Sequence, residues 1–208
     1  MGAFLSNLRY VSWTALAVGL VFLVYVAAAL ANQPPPSQFF YEALLRWTHV
    51  LSGIMWIGHL YYFNFTQIPN APKIPAEHRG PAIAKVIAPA ALFWFRWGAM
   101  ATLFTGLLLA WNQGYIVDAL LLGATTEFAV PKNIFIGVGM WLAIIMWFNV
   151  WFIIWPNQQK ALGIGEANAA LEQAVKDKSA RTAMLFSRTN TFLSVPMLVA
   201  MTGASTLF

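Results

Sequence analysis

Long apolar segments separated by short polar ones run along this chain of 208 residues. A helix that crosses a membrane needs about 20 consecutive, mostly apolar residues. Five segments meet this requirement, at residues 10–31, 39–68, 86–111, 133–155 and 183–208. The pattern predicts an all-α integral membrane protein, with about five transmembrane helices in a bundle that forms a single domain over residues 1–208.

Proline-rich and polar stretches mark the connections between these segments. The stretch NQPPPSQ at residues 32–38 predicts a tight turn, because prolines in series cannot continue a helix. The stretch PNAPKIPAEHRGP at residues 69–81 is a second break, and Pro156 is expected to end the fourth span. Residues 157–182 mix alanine with charged residues, which predicts one short cytoplasmic surface helix.

The composition agrees with a membrane location. Hydrophobic residues make up 60% of the chain and charged residues 9%, so a soluble domain of this composition could not cover its apolar surface. The chain has no cysteine, which excludes disulfides, iron–sulfur clusters and covalently attached c-type haem. Any redox centre must therefore use histidine, methionine or carboxylate ligands.

Basic residues collect on one side of the five-span arrangement. They are Arg9, Lys73, Arg79, Lys85, Lys160, Lys176, Lys178 and Arg181. The positive-inside rule then predicts a multi-pass protein of the cytoplasmic membrane, with a cytoplasmic N-terminus and an external C-terminus. This asymmetry accounts for the net charge of +5. The expected partner is therefore the lipid bilayer, and no nucleic acid is expected to bind.

The second apolar segment carries an unusual set of polar residues, in RWTHVLSGIMWIGHLYYFNF at residues 46–65. Ionisable groups are costly inside a membrane, so each of them suggests a function. One helical stripe, with successive steps of four, three, four and three residues, contains Glu42, Arg46, His49, Gly53 and Trp56. The first two have the order that favours an ion pair within the helix.

His49 lies about ten residues inside this span, hence about 15 Å along its axis and near mid-membrane. An imidazole at that depth serves as a haem ligand, as a proton-relay group, or as a hydrogen-bonding partner of a neighbouring helix. Gly53 lies one turn away and leaves room for a flat macrocycle, or for close helix packing. The residues alone leave these alternatives open.

His59 follows His49 by ten residues, which corresponds to about 15 Å of axial separation and about 80° of rotation. The two histidines therefore cannot be opposite axial ligands of one haem. His78, in the predicted cytoplasmic loop, is a candidate partner of His59, and a solvated loop residue is the alternative. The candidate metal ligands are thus His49, His59 and His78.

Arg96 lies about ten residues inside the third span, in LFWFRWGAM. A guanidinium that deep needs an anion or several carbonyl acceptors. A haem propionate, an anionic substrate or Glu42 would supply the anion, whereas snorkelling to the interface would need none. Asn149 and Asn190 are expected to form hydrogen bonds between helices.

Four stretches together resemble the membrane domain of the bacterial membrane-bound urate hydroxylase (PuuD) family. They are RWTHVLSGIMWIGHLYYF, APAALFWFRWGAMATLFTGLLLAW, NVWFIIWPNQQKAL and RTNTFLSVPMLVAM. The first stretch resembles, more distantly, the histidine-bearing helix of the HemJ and CopD membrane families, which are associated with haem and copper. The resemblance implies that His49 is the histidine of the family pattern, with Gly53 and Trp56 as its neighbours.

Together these features predict a small membrane-bound protein that holds haem b and transfers electrons, as an oxidoreductase or as a subunit of a redox complex. His49 is the expected axial ligand, with Arg96 or Arg46 neutralising propionates, and His59 and Gly53 complete the candidate cofactor-binding set. A separate cytochrome c or other membrane redox subunits are the candidate partners. The alternatives are a true urate hydroxylase that passes electrons to a separate cytochrome c, and a cofactor-free structural or assembly subunit.

Overall fold

The computed structural model describes residues 4, 6–29 and 36–208, so most of the turn predicted at residues 32–38 lies outside the described residues. The regular structure within these residues is helical throughout, which confirms the predicted helical class. Helices of 18 residues or more in this part of the chain are α1 (Leu8–Ala29), α2 (Pro36–Tyr61), α3 (Ala88–Asn112), α4 (Pro131–Phe148) and α5 (Gln173–Thr206).

The chain divides into two compact units, residues 1–48 and residues 49–208. In the first unit α1 approaches the start of α2, since a Cβ added at Gly19 would lie 3.3 Å from Cζ2 of Trp47. The second unit contains the rest of α2 and helices α3 to α5. Its core includes the fully buried side chains of Trp56, Phe95 and Met146.

Three π-helical segments join shorter α-helical pieces to the long helices of the second unit. Tyr62–Gln67 extends α2 into Ile68–Asn70, and Gly80–Ile87 joins Ala76–Arg79 to α3. Asn149–Ile154 joins α4 to Trp155–Leu162. Such segments are rare and are frequent at functional sites.

The prediction that Pro156 ends the fourth span is wrong. The helix continues through this proline to Leu162 and ends at Gly163, whose φ of +65° is the left-handed conformation typical of a helix end. Proline disrupts an α-helix because its ring meets the carbonyl four residues earlier. Here that preceding turn is π-helical, so the usual steric conflict does not arise.

The prediction of one short helix within residues 157–182, separate from the final helix, is also wrong, while the start of the final span at residue 183 stays a prediction. The short helix Glu166–Ala169 is followed by α5, a single helix of 34 residues. Neither glycine nor proline occurs between residues 173 and 195 to interrupt it. Helix α5 packs most extensively against α4 and its continuation.

Three helical regions of the described chain are long and apolar enough to cross a membrane. They are Leu8–Tyr25, Glu77–Asn112 and Pro131–Leu162. They correspond to the first, third and fourth predicted spans, while α2 and α5 are more polar. Membrane-spanning helices are therefore supported, and the count of five and the orientation stay predictions.

Candidate functional site

His49 is fixed to helix α3 through one nitrogen of its ring. Its Nδ1 lies 3.0 Å from the carbonyl oxygen of Thr102 and 3.2 Å from Oγ1 of Thr105. A carbonyl oxygen only accepts, and the Thr105 hydroxyl donates to the carbonyl of Ala101 at 2.6 Å. The proton of the neutral ring therefore belongs on Nδ1, which leaves the lone pair on Nε2.

Helix α3 comes close to α2 through two glycines on the same face as these threonines. A Cβ added at Gly106 would lie 2.8 Å from Cε1 of His49, and one added at Gly98 would lie 3.0 Å from the backbone nitrogen of Trp56. Both distances are too short for an ordinary side chain. Gly106 therefore leaves the space that the His49 ring occupies, and Gly98 allows close contact between the two helices beside Trp56.

This arrangement suits a metal-ligating histidine. Such histidines almost always donate their other ring N–H to a carbonyl, a carboxylate or water, which fixes the ring and makes the ligating nitrogen more basic. Thr102 provides that acceptor for His49. The residues around His49 therefore fit a haem ligand, and the chain would supply its Nε2.

The other predicted ligands have different surroundings. His59 has its Nδ1 2.7 Å from the carbonyl of Met55 in its own helix, so its Nε2 also carries the lone pair. His78 is exposed in Ala76–Arg79. No group of three or more His, Cys, Asp or Glu side chains placed to hold a metal occurs within the described residues. Pairing of His59 with His78 stays a prediction.

Gly53 and Arg46 can also be placed. A Cβ at Gly53 would lie 4.0 Å from Cγ2 of Thr102, an ordinary contact, so this position has room. Arg46 belongs to the first unit, where its Nη2 lies 2.6 Å from Oε1 of Glu42. This confirms the predicted ion pair and gives Arg46 an anionic partner of its own.

Arg96 meets aromatic rings of the fourth span. Its Cζ lies 3.3 Å from the ring centroid of Trp155 and 6.0 Å from that of Trp151. Trp151 lies in the third π-helical segment and makes an edge contact with Trp97 at 5.5 Å. The described neighbours of the Arg96 guanidinium are thus indole rings, where the sequence led us to expect an anion.

Arg96 and the residues that hold His49 project from different sides of α3. Thr102 and Thr105 follow Arg96 by six and nine residues, which corresponds to rotations of about 120° and 180° around the helix. The threonines face α2, whereas Arg96 faces Trp155. We therefore expect Arg96 and His49 to serve different ligands.

A seam of buried polar side chains connects α5 to the helices beside it. Asn149 donates to Oδ1 of Asn190 at 2.8 Å, and Asn190 donates to the carbonyl of Met146 at 2.9 Å. This confirms the predicted interhelical role of both asparagines. Further along, Asn64 donates to Ser187 at 2.8 Å, and the hydroxyl oxygens of Tyr61 and Ser194 lie 2.9 Å apart.

A cavity of about 40 Å³ is lined in part by residues of the first and third π-helical segments. Its lining includes Phe63, Gln67, Ile154, Gln158 and Ser187. A volume of this size holds water molecules and is far too small for a haem. The cavity therefore does not bear on the candidate cofactor.

Sequence reasoning missed Asp118, which organises the loop before α4. Its carboxylate accepts hydrogen bonds from Oγ1 of Thr125, from N and Oγ1 of Thr126 at 3.1 and 3.0 Å, and from Nδ2 of Asn133 at 2.9 Å. These donors, that of Thr125 first, lower the pKa of Asp118 and outweigh the opposite effect of burial. The only sequence signal was a lone acidic residue followed by two threonines.

One comparison with known proteins gives a match. A family model described as "Urate oxidase N-terminal" matches residues 114–205, which is less than half of the chain. The match covers the Asp118 loop, α4 and most of α5, and it includes neither His49 nor Arg96. It links the chain to urate oxidases at the level of that description. No curated protein and no solved structure matches.

Proposed function

We propose that the protein is a membrane-bound haem protein that transfers electrons, with His49 as an axial ligand of a noncovalent b-type haem. The observation that carries this proposal is the hydrogen bond from Nδ1 of His49 to the carbonyl of Thr102 at 3.0 Å. It presents Nε2 as the free, basic nitrogen that a haem iron takes.

The chain would contribute position and environment, while the bound group would supply one-electron chemistry. Thr102 and Thr105 hold the proton on Nδ1 and so keep the ring in one tautomer and one orientation. Gly106 leaves the space that this orientation needs. Burial and histidine ligation would then set the reduction potential.

Haem content of the purified full-length protein tests this proposal. Protein from haem-replete cells should give a b-type pyridine haemochrome, and His49→Ala should lose it. His59→Ala is the comparison variant and should keep the haem that His49 ligates, because His59 lies about 15 Å further along the same helix and its Nδ1 bonds to the carbonyl of Met55 in that helix. Folded wild type without haem would contradict the proposal and favour the cofactor-free structural subunit. Unchanged haem in His49→Ala would remove His49 as the ligand.

Urate hydroxylation is the second candidate, and the family match over residues 114–205 favours it. In this case the chain would oxidise urate and pass electrons to a separate cytochrome c. Isolated membranes that contain the wild type should consume urate, whereas membranes with His49→Ala or without the protein should not. Equal urate consumption in all three would exclude this candidate.

A further inference from the structure

The segment that leads into α3 carries positive charge with little acid to balance it. Residues 69–87 contain Lys73, Arg79 and Lys85, and Glu77 is the one acidic residue among them. No ion pair to any of these three basic residues occurs within the part of the chain that the structure describes. The side chains of Lys73 and Lys85 are exposed, and that of Arg79 is half-buried. These charges are therefore available to an anion from outside the chain.

Two hydrogen bonds hold the guanidinium of Arg79 beside Lys73. Nη2 of Arg79 donates to the carbonyl oxygens of Ile74 and Pro72, at 3.0 and 3.3 Å. These are the residues on either side of Lys73, whose Nζ donates to Oδ1 of Asn70 at 2.8 Å. The fold thus fixes the positive charge of Arg79 next to the backbone of a second basic residue.

Both side chains keep hydrogen-bond donors that these contacts do not use. A guanidinium has five N–H donors and an ammonium has three. Among the described contacts, Arg79 uses its Nη2 alone and Lys73 makes one bond to a side chain. Guanidinium and ammonium groups both bind phosphate, the first through its planar fork and the second as a point charge. Arg79 and Lys73 are therefore suited to an anion with several acceptor oxygens.

The length of the helical region places these charges at the level of lipid headgroups. The region Glu77–Asn112 has 36 residues, which corresponds to about 54 Å at 1.5 Å per residue. The hydrocarbon core of a bilayer is about 30 Å thick, so at least one end of the region must project from it. Apart from Arg96, the charged residues of this region all lie within residues 77–85. The basic end is therefore the end that we expect to project.

Apolar residues that follow the basic ones suit the acyl chains of a lipid. Val86 and Ile87 are 65% and 42% exposed, and they follow Lys85 at the end of Gly80–Ile87. Basic residues close to a membrane surface attract anionic lipids. A phospholipid would contact the charges and the apolar pair together, whereas free phosphate would contact the charges alone. The arrangement therefore favours a lipid.

We propose that Arg79 and Lys73 form a binding site for the phosphate of an anionic phospholipid, with Val86 and Ile87 against its acyl chains. The phosphate oxygens would accept from Nη1 of Arg79 and from Nζ of Lys73. The bound lipid would tether the segment before α3 to one leaflet of the membrane. The site shares no residue with the surroundings of His49, so its occupation does not depend on haem.

Native mass spectrometry of the full-length protein in detergent measures this binding. Titration with phosphatidylglycerol should show about one lipid that binds more tightly than those that follow. Phosphatidylcholine with the same acyl chains should bind at least about fivefold more weakly. Equal affinity for the two lipids would overturn the proposal. Inorganic phosphate should not displace phosphatidylglycerol at equal concentration, and displacement would assign the site to free phosphate instead of a lipid.

Variants separate this site from the net charge of the protein. Arg79→Gln and Lys73→Gln should each weaken phosphatidylglycerol binding by about fivefold, as expected for loss of one basic residue beside an anionic lipid. Lys132→Gln is the matched control, because Lys132 is also basic and exposed but lies in the first turn of α4, on the predicted opposite side of the membrane. It should bind phosphatidylglycerol like the wild type.

Arg79 also holds the loop through its bonds to Pro72 and Ile74, so its variant tests folding as well as binding. If Arg79→Gln fails to fold, the comparison of Lys73→Gln with Lys132→Gln still decides. Equal weakening of phosphatidylglycerol binding by these two lysine variants would show that net charge attracts the lipid, and would overturn the proposal. Unchanged binding in Lys73→Gln would overturn it as well.

Discussion

At the residue scale, the place of the His49 ring depends on Gly106. In Gly106→Ala the new Cβ would lie 2.8 Å from Cε1 of His49, so the ring must move and its bond to Thr102 must stretch. Overpacking of this kind costs about 1–3 kcal/mol. We expect a clearly lower haem-to-protein ratio in the purified variant. Gly58→Ala in α2 is the control, because nothing lies within 4 Å of its added Cβ, and haem content equal in both variants would contradict the role of Gly106.

Asp118 makes the stability of the loop before α4 depend on pH. Its pKa in the folded protein lies below the ordinary value of 3.8, so its contribution to stability is present above that value and is lost as the pH falls through the lower, folded pKa. Thermal unfolding should show Asp118→Asn destabilised relative to wild type at pH 7, with the difference shrinking towards pH 3. A difference that is constant across this range would show that the carboxylate charge is not involved.

The sequence predicts the contacts of a residue in two cases. Its partner lies close in the chain, or the residue is a polar group in an apolar segment, where burial without a hydrogen bond would cost free energy. The Glu42–Arg46 pair is four residues apart, and Asn149 and Asn190 are polar groups inside apolar segments. The partner of His49 is a backbone carbonyl 53 residues away. Every residue has such a carbonyl, so the sequence does not indicate which one His49 contacts. The stacking of Arg96 on Trp155 likewise depends on how two helices pack.

At the element scale, helix positions follow from apolar runs, but helix ends do not. Pro156 and the polar composition of residues 173–182 both suggested interruptions. In the structure, the helix continues through Pro156 after the π-helical segment Asn149–Ile154. Residues 173–182 form the first part of α5. At Pro156, packing of α5 against α4 and its continuation thus outweighs local propensity, whereas residues 173–182 contain mostly good helix formers. Nothing in the sequence pattern identified the π-helical segments.

The bond between Asn149 and Asn190 should couple α4 and α5 energetically. In a double-mutant cycle with alanine at each position, unfolding in detergent should give a coupling free energy of about 0.6 kcal/mol, the average found for interhelical hydrogen bonds in a membrane protein, and at most about 1.7 kcal/mol. Thr189→Ala is the control, since its hydroxyl is exposed and bonds to its own helix at Leu185. Additive effects of the two asparagine substitutions would show that the bond contributes no coupling.

At the scale of the whole molecule, the positions of basic residues predict how the protein crosses the membrane. The chain has no cysteine, so single cysteines report topology directly. Cysteines at the exposed positions Glu77 and Lys178 should react with an impermeant maleimide only from the cytoplasmic side, and one at Ala124 only from outside. Reaction of all three from one side would mean that α3 and α4 do not cross the membrane as the five-span arrangement requires.

The central claim is that Nε2 of His49 ligates a haem iron, and chemical rescue tests it most directly. His49→Gly removes the ring and leaves a space beside Gly106 that free imidazole can enter. Absorption spectra of the variant reconstituted with haem should lack the wild-type Soret and α bands, and imidazole should restore them in a saturable manner, whereas uncharged apolar cyclopentane should not. Unaltered wild-type bands in His49→Gly without imidazole would contradict the account.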